Sequence, residues 1–347
     1  MNEEPLKLGV VGCGWAGKQA VDAGMAVPRT TVVAIADPVE ELSKQTVEEY
    51  GVPRAYDDYR RLLEDPEVEA VYLAVNPPMR YQMVLDSFAA GMHVLVQKPH
   101  AVRAPDILEF EARGKEAGKT LQFCYFMRHY PHNRRIRAAI ASGKIGEAYH
   151  ARIFGRYRSR PAPEGITRWL QVYGEKGGVL GQHYSHELDL AWFWMGCPKP
   201  EWAFGVKHSV QPLYDGPEGP AEDYYSGLVG LEGGKTIQID CTRWLHCDTS
   251  PTVIELYGTE GDITQGKISR SNDDKEYMLE DADEPLDVPH SEQTEKMPVF
   301  YYEIEHFALA VAGEVEPDVN AADSYIFMKI LDALYDSARD GQKIVID

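Results

Sequence analysis

Residues Leu6 to Gly17, LKLGVVGCGWAG, constrain this chain more than any other stretch. The apolar run Leu6 to Val11 carries no charge past Lys7 and ends at glycine, the pattern of a buried parallel strand. Gly12-Cys13-Gly14-Trp15-Ala16-Gly17 follows directly. Each glycine there has a task that a side chain would obstruct. Gly12 turns the chain sharply out of the strand, Gly14 lets a phosphate come close to the backbone, and Gly17 lets the next helix pack tightly on the strand. The start of that helix offers unpaired N–H groups to a pyrophosphate.

A second reading competes at this point. Gly12, Gly17 and Lys18 also satisfy most of G-x-x-x-x-G-K-[ST], but residue 19 is Gln, and a P-loop needs a hydroxyl there to hold Mg²⁺. The chain downstream decides. Thr31 to Ala36 is a second buried strand ending in Asp37, at the separation where a dinucleotide site places a carboxylate for the ribose hydroxyls. Strand, glycines, helix and acid together select a dinucleotide fold over a glycine-rich structural turn. Asp37 would repel a 2′-phosphate, and the residue after it is Pro38 rather than Arg, so NAD is expected in preference to NADP.

The remainder of the first third alternates strands (70–75, 93–96, 120–125) with helices (38–50, 80–90, 105–117), which implies a parallel sheet. Its ligand should lie at the carboxyl ends of the strands, in the loops at 12–17, 37–38, 76–78, 97–99 and 125–128. From about residue 126 the rhythm changes. A helix at 133–142 and another at 181–195 accompany strand-like runs at 148–157, 201–208, 226–232, 235–243 and 252–258. The last three lack crossover helices between them, so this sheet should be antiparallel. Residues 267–296 are acidic and polar and read as surface loops. Helices at 300–311 and 321–339 and a short strand at 343–346 close the chain. Two domains are expected, 1–125 and 126–347, with the last helix free to pack back on the first.

Composition narrows the function classes. The net charge is −20, which argues against nucleic acid or an anionic membrane as partner. No apolar run reaches the length of a membrane span, and the acidic start MNEEPLKLG does not resemble a signal peptide. The five cysteines are odd in number and scattered without a C-x-x-C pair, so reduced thiols and a cytoplasmic location are expected. His183 and His186 stand near Glu187, but no H-E-x-x-H or cysteine partner accompanies them, and no metal is expected.

Motifs in order along nearly the whole chain make it similar to the Gfo/Idh/MocA family of sugar and cyclitol oxidoreductases. They are GCGWAG, VNPP, GMHVLVQKP, FMRHYP, GKIGEA, GGVLGQHYSHELDLAWFWMG and the closing DSYIFMKILDALYDSARDGQKI. The resemblance implies an N-terminal Rossmann domain, a C-terminal α/β domain with a large open, mainly antiparallel sheet, and bound nicotinamide. Relatives commonly pair through the outer face of that sheet, so a homodimer or homotetramer is expected. It assigns cofactor contacts to Gly12, Gly14, Trp15, Ala16, Gly17, Asp37, Asn76, Pro77, Gln97 and Lys98.

The family's reactive residues carry over only in part. The lysine of its E-K-P motif matches Lys98, but the preceding Glu is Gln97 here. Its D-x-G-x-H-x-x-D motif falls on 182–189, where His186 and Asp189 match, Gln182 replaces the catalytic Asp and Tyr184 replaces Gly. Its [ST]-P-N turn and later His become Asn76-Pro77-Pro78 and Tyr81.

Oxidising a secondary alcohol needs a base within reach of the hydroxyl proton and a donor for the developing oxyanion. His186 is the candidate base, since imidazole titrates near working pH, and Lys98 is the candidate donor. On a helix, Gln182, His186 and Asp189 would share one face, with Gln182 orienting the ring without adding charge. His186 should therefore be a weaker base than with Asp at 182. Substrate contacts are expected from Gln182, Tyr184 and His186, from Arg128 after the fifth strand, and from Arg168 and Trp169 in an Arg/aromatic stretch before the helix. Three functions remain open: an NAD-dependent dehydrogenase of a sugar, glycoside or polyol; a redox-neutral enzyme that keeps its NAD and cleaves a glycoside through transient oxidation; and a nucleotide-binding subunit without catalysis.

Overall fold

The computed structural model describes residues 4–156, 176–210, 220–243, 245, 252–264, 267–270, 273–278 and 297–347. The chain divides into two compact units, one of Met1–His129 with His290–Tyr325, the other of Tyr130–Pro289 with Ile326–Asp347.

In the first unit, β1 (Leu6–Val11), β2 (Thr30–Ala36), β3 (Arg54–Tyr56), β4 (Ala70–Leu73), β5 (His93–Val96) and β6 (Leu121–Phe123) form one parallel sheet in the order β3-β2-β1-β4-β5-β6. The connections carry α1 (Trp15–Ala26), α2 (Glu40–Tyr50), α3 (Tyr59–Leu63), α4 (Pro77–Ala89) and α5 (Ala104–Ala117). Helices cover both faces of such a sheet, which is why its strands read as apolar runs rather than alternating ones. Val10, Ile35, Val71, Leu73, Val94 and Val96 are fully buried. The strand order reverses between β1 and β4, and a ligand belongs in the crevice beyond the carboxyl ends at that reversal.

The second unit carries α6 (Pro131–Ala141), β7 (Ala148–Arg156), a π-helical turn (Val179–Tyr184) running into α7 (Ser185–Trp194), then β8 (Pro200–His208), β9 (Tyr224–Leu231) and β10 (Thr236–Thr242). β11 (Val253–Gly258), β12 (Gly261–Thr264), β13 (Lys267–Arg270) and β14 (Asp273–Met278) follow. Its sheet runs β14-β13-β12-β11-β7-β10-β9-β8-β15, where β15 is Ile344–Val345. Every pairing is antiparallel except β7 with β10, which is parallel. α7 packs on β7, β10 and β11, so Ile153, Ile237, Ile239 and Leu256 are buried beneath it.

One expectation changes. Residues 267–270 and 273–278 form the paired strands β13 and β14 and extend the sheet, rather than lying in surface loops; residues 279–296 of that stretch lie outside the described residues. Edge strands tolerate charge, and their pairing is a backbone property that a polar side-chain pattern does not reveal. The first unit runs to His129 and takes in α8 (Tyr301–Val311), which packs on α1 and β2. The amphipathic pattern of α8 shows that one face is buried but not which sheet receives it. The later division falls after Tyr325, inside α9 (Ala321–Asp340), so most of that helix belongs to the second unit.

Candidate active site

The glycine loop after β1 has the geometry its sequence demands. Gly12 turns at φ +94, and a Cβ there would come within 2.6 Å of the Ala74 carbonyl oxygen. At Gly17 a Cβ would fall 1.7 Å from the Gly12 oxygen, so only glycine lets α1 lie this close to β1. Gly14 differs: nothing lies within 4 Å of where its Cβ would be. It is the N-cap of α1, whose first turn has no capping side chain and no acid. An uncapped N-terminus beside open space is the setting an anion takes up. Trp15 stands there 67 % exposed, edge-on to Phe300 with ring centroids 5.9 Å apart.

Asp37 at the end of β2 is held against this loop. One carboxylate oxygen accepts the Cys13 N–H at 2.7 Å and the other the Val39 N–H at 2.8 Å. Each oxygen keeps a further lone pair for ribose hydroxyls. Glycine cradle, open helix start and fixed acid fit a dinucleotide. Gly12, Gly14, Trp15, Ala16, Gly17 and Asp37 are the residues that would hold it.

At the ends of β4 and β5, Gln97 donates to the Tyr72 hydroxyl at 2.7 Å and accepts the Lys98 N–H at 2.7 Å. The first bond needs an amide: an ionised Glu at 97 could only accept from Tyr72. Asn76 stands at the N-cap position of α4 without a side-chain capping bond, Pro77 is in the first turn, and Lys98 is half-buried. Sequence reasoning missed Arg80. It is 1 % exposed on α4, and its guanidinium donates to the carbonyls of Val75 and Pro99, tying together the loops after both strands. Burial lowers it to about 10. No local pattern marks an arginine for this task. Tyr81 hydrogen-bonds Glu109. Arg128, expected at the substrate, is 1 % exposed and paired with Asp323 at 3.0 Å within the same unit.

The other reactive candidates lie at the start of α7. The expected continuous α-helix over 181–195 is corrected: residues Val179–Tyr184 make a π-helical turn and α begins at Ser185. The Ser185 hydroxyl donates at 2.7 Å to the Gly181 carbonyl, the acceptor that an α-helix would give to Ser185's own N–H. Gln182 sits on this turn and His186 in the first turn of α7; both are half-buried. A π turn holds more residues than an α turn, so positions four apart stay close to one face. Asp189 is buried. Tyr184, expected in the pocket, packs on the sheet. It is 3 % exposed and its ring fills the space that Gly155 leaves on β7, where a Cβ would come within 2.0 Å. Arg168 and Trp169 lie outside the described residues.

His93 accepts the Thr120 N–H at 3.0 Å, and burial lowers it to about 4. His129 is fully buried, with its ring 4.7 Å from that of His306.

Family comparison agrees with the geometry. Residues 6–125 match the oxidoreductase family model for an NAD-binding Rossmann fold, and residues 137–346 match the same family's C-terminal alpha/beta domain. The chain belongs to the Gfo/Idh/MocA oxidoreductases. It is an NAD-binding enzyme of that family. It is 26 % identical over 344 residues to 1,5-anhydro-D-fructose reductase of Ensifer adhaerens, covering 98 % of each chain. It is 23 % identical to scyllo-inositol 2-dehydrogenase (NAD(+)) of Bacillus subtilis (strain 168), over 99 % of this chain and 97 % of the other. Levoglucosan dehydrogenase, solved with NADH and levoglucosan, shares the fold at TM-score 0.82 and 20 % identity, covering 99 % of this chain and all of the other. Among the described residues no helix is long and apolar enough to cross a membrane.

Proposed function

We propose that this Gfo/Idh/MocA oxidoreductase transfers a hydride between NAD and a secondary hydroxyl of a sugar, glycoside or cyclitol. The observation that carries the reading is the survival of Lys98 and His186 in a chain whose glycine loop and Asp37 form a dinucleotide cradle. NAD, when bound, supplies the hydride acceptor, and that chemistry is its own. His186 takes the hydroxyl proton as general base. Lys98 donates to the same oxygen and stabilises its developing negative charge. Gln182 orients the imidazole by hydrogen bonding. The relatives named for an anhydrosugar and an inositol support the substrate class.

Asp37 supports NAD over NADP, because its anchored carboxylate would face a 2′-phosphate. The outer face of the nine-stranded sheet leaves Phe204 and Val206 exposed on β8, at 41 % and 44 %. That face supports pairing of two copies, and a homodimer or homotetramer is the expected assembly. The scattered thiols support a cytoplasmic enzyme.

Gln97 and Gln182, each replacing an acid of the family pattern, favour a second reading: a redox-neutral enzyme that retains NAD and cleaves a glycoside. Incubation with NAD and a panel of inositols, anhydrosugars and glycosides separates the two. Net NADH formation supports the dehydrogenase. Glycoside cleavage without net NADH supports the second reading. Neither outcome, with NAD still bound, would leave a nucleotide-binding subunit.

A further inference from the structure

The start of the helix that carries Gln182 and His186 is gripped from two places elsewhere in the second unit. Helices leave their first N–H groups without intrahelical partners. Here three consecutive ones are taken. The Val179 N–H goes to the Glu222 carbonyl at 3.0 Å and the Leu180 N–H to the Glu222 carboxyl at 2.9 Å. The Gly181 N–H goes to the Tyr335 hydroxyl at 3.0 Å. Tyr335, on α9, donates that hydroxyl to the Gly177 carbonyl at 2.7 Å and lies 3.5 Å from the Glu222 carboxyl. Lys176 completes the grip. It pairs with Asp332, one turn before Tyr335, and its ammonium stands 5.0 Å from the Tyr335 ring centroid.

Gly178 is what admits the carboxyl. Its φ is +87, and a Cβ there would fall 2.2 Å from Glu222 Oε2. Glu222 is completely buried, and Oε2 has no hydrogen-bond partner among the described residues. A carboxyl this far from water, one oxygen committed and the other not, is an expensive way to fill a core. Gln182 sits one residue beyond the last gripped N–H.

We propose that Glu222 and Tyr335 are positioning residues for the reaction: they hold the π turn in the one arrangement that presents Gln182 and His186 correctly. The inference rests on His186 acting as base. Glu222 does this as a neutral acid below neutral pH. Burial pushes it up to about 7, opposed by the Leu180 N–H and by Arg243 and Lys207. Arg243 is committed to Asp223 at 2.9 Å. Among the described residues, Tyr335 from α9 and Cys241 of β10, whose thiol burial pushes up, also face it, and the Lys176–Asp332 pair stands behind Tyr335. Ionisation of Glu222 changes the strength of the Leu180 bond.

The test uses the NAD-loaded enzyme in wild type, Glu222→Gln, Glu222→Ala, Tyr335→Phe and His186→Asn forms, with scyllo-inositol as probe. Glu222→Gln keeps an acceptor for Leu180 and should recover most of kcat while losing one ionisation near neutrality. Glu222→Ala and Tyr335→Phe should lower kcat about ten- to a hundredfold, as small misplacements of reacting groups do, with KM for NAD unchanged. Two further readouts need no turnover: hydrogen exchange of the amides at 179–186, and NMR titration of the His186 ring. Both should change in Glu222→Ala and stay near wild type in Glu222→Gln. Wild-type kcat, exchange and His186 titration in Glu222→Ala would overturn the proposal, as would Glu222→Gln failing as badly as Glu222→Ala. An active His186→Asn would instead overturn the assignment of the base.

Discussion

Two helices begin at chemically important places in this molecule, one in each unit, and they begin in opposite ways. α1 starts at Gly14 with no side chain on its first N–H groups, no acid in its first turn and open space where a Cβ would be. The π turn leading into α7 starts with its first three N–H groups taken by Glu222 and Tyr335. An open helix start is a device for binding an anion, because the missing partners are supplied by the ligand. A closed one binds nothing there and fixes what the helix carries. The first is built to take a cofactor directly; the second, on our proposal, serves the side chains one turn along.

The contrast can be broken at Gly14. A valine there meets no protein atom but occupies the phosphate's approach, so Gly14→Val should leave the melting temperature of the apo protein unchanged. NAD affinity should fall by about a hundredfold, the upper end of overpacking costs. Gly17→Val should fail at the earlier stage of folding, since its Cβ would meet the Gly12 oxygen. Equal behaviour of the two variants, measured by calorimetry and NADH binding, would remove the distinction between ligand-facing and packing glycines.

Asp37→Ala sharpens the same end. Loss of the hydrogen bonds that ribose hydroxyls would donate to a charged acceptor should weaken NAD by roughly tenfold or more and narrow the gap to NADP. Unchanged selectivity in titrations with both cofactors would count against Asp37 as the ribose ligand.

At the closed helix, Gln182→Asp places a carboxylate beside His186. An opposite charge at short range favours imidazolium, so the rising limb of kcat/KM against pH should move up by about one unit. A limb that stays in place would show that Gln182 does not act on His186.

The smallest effect concerns the core of the first unit. Glu303 on α8 is 1 % exposed, and burial pushes its carboxyl from 4.5 to about 8. The folded chain therefore holds this proton more tightly than the unfolded chain. Its contribution to stability is full below about 4.5 and is lost as pH rises through about 8. Glu303→Gln should flatten the decline of melting temperature between those values by about a few degrees. An unaltered slope would place the pH dependence elsewhere. Glu222 acts in the same direction over a narrower range.

The asymmetry between the helices also explains what could be read from the chain beforehand. The turn at Gly12 and the close packing at Gly17 are set by backbone sterics within a few dozen residues, and the structure has both. The grip on the π turn comes from Glu222, 42 residues beyond Leu180, and Tyr335, 154 residues beyond Gly181. Neither carries a local mark, and the turn itself reads as ordinary helix because its apolar spacing is helical. Arg80 was hidden for the same reason: its partners are main-chain carbonyls, which have no sequence. Tyr184 shows the limit from the other direction: its position in a reactive motif says nothing of the glycine on β7 against which its ring packs.

The assignment of His186 as base is tested most directly by the pH dependence of kcat/KM for NAD-dependent oxidation of a cyclitol, compared between wild type and His186→Asn. The account predicts a rising limb in the wild type at or below the ordinary histidine range. In the variant that limb disappears and the rate falls by about a hundredfold or more, with NADH still bound normally. A variant that keeps both the limb and the rate would contradict it.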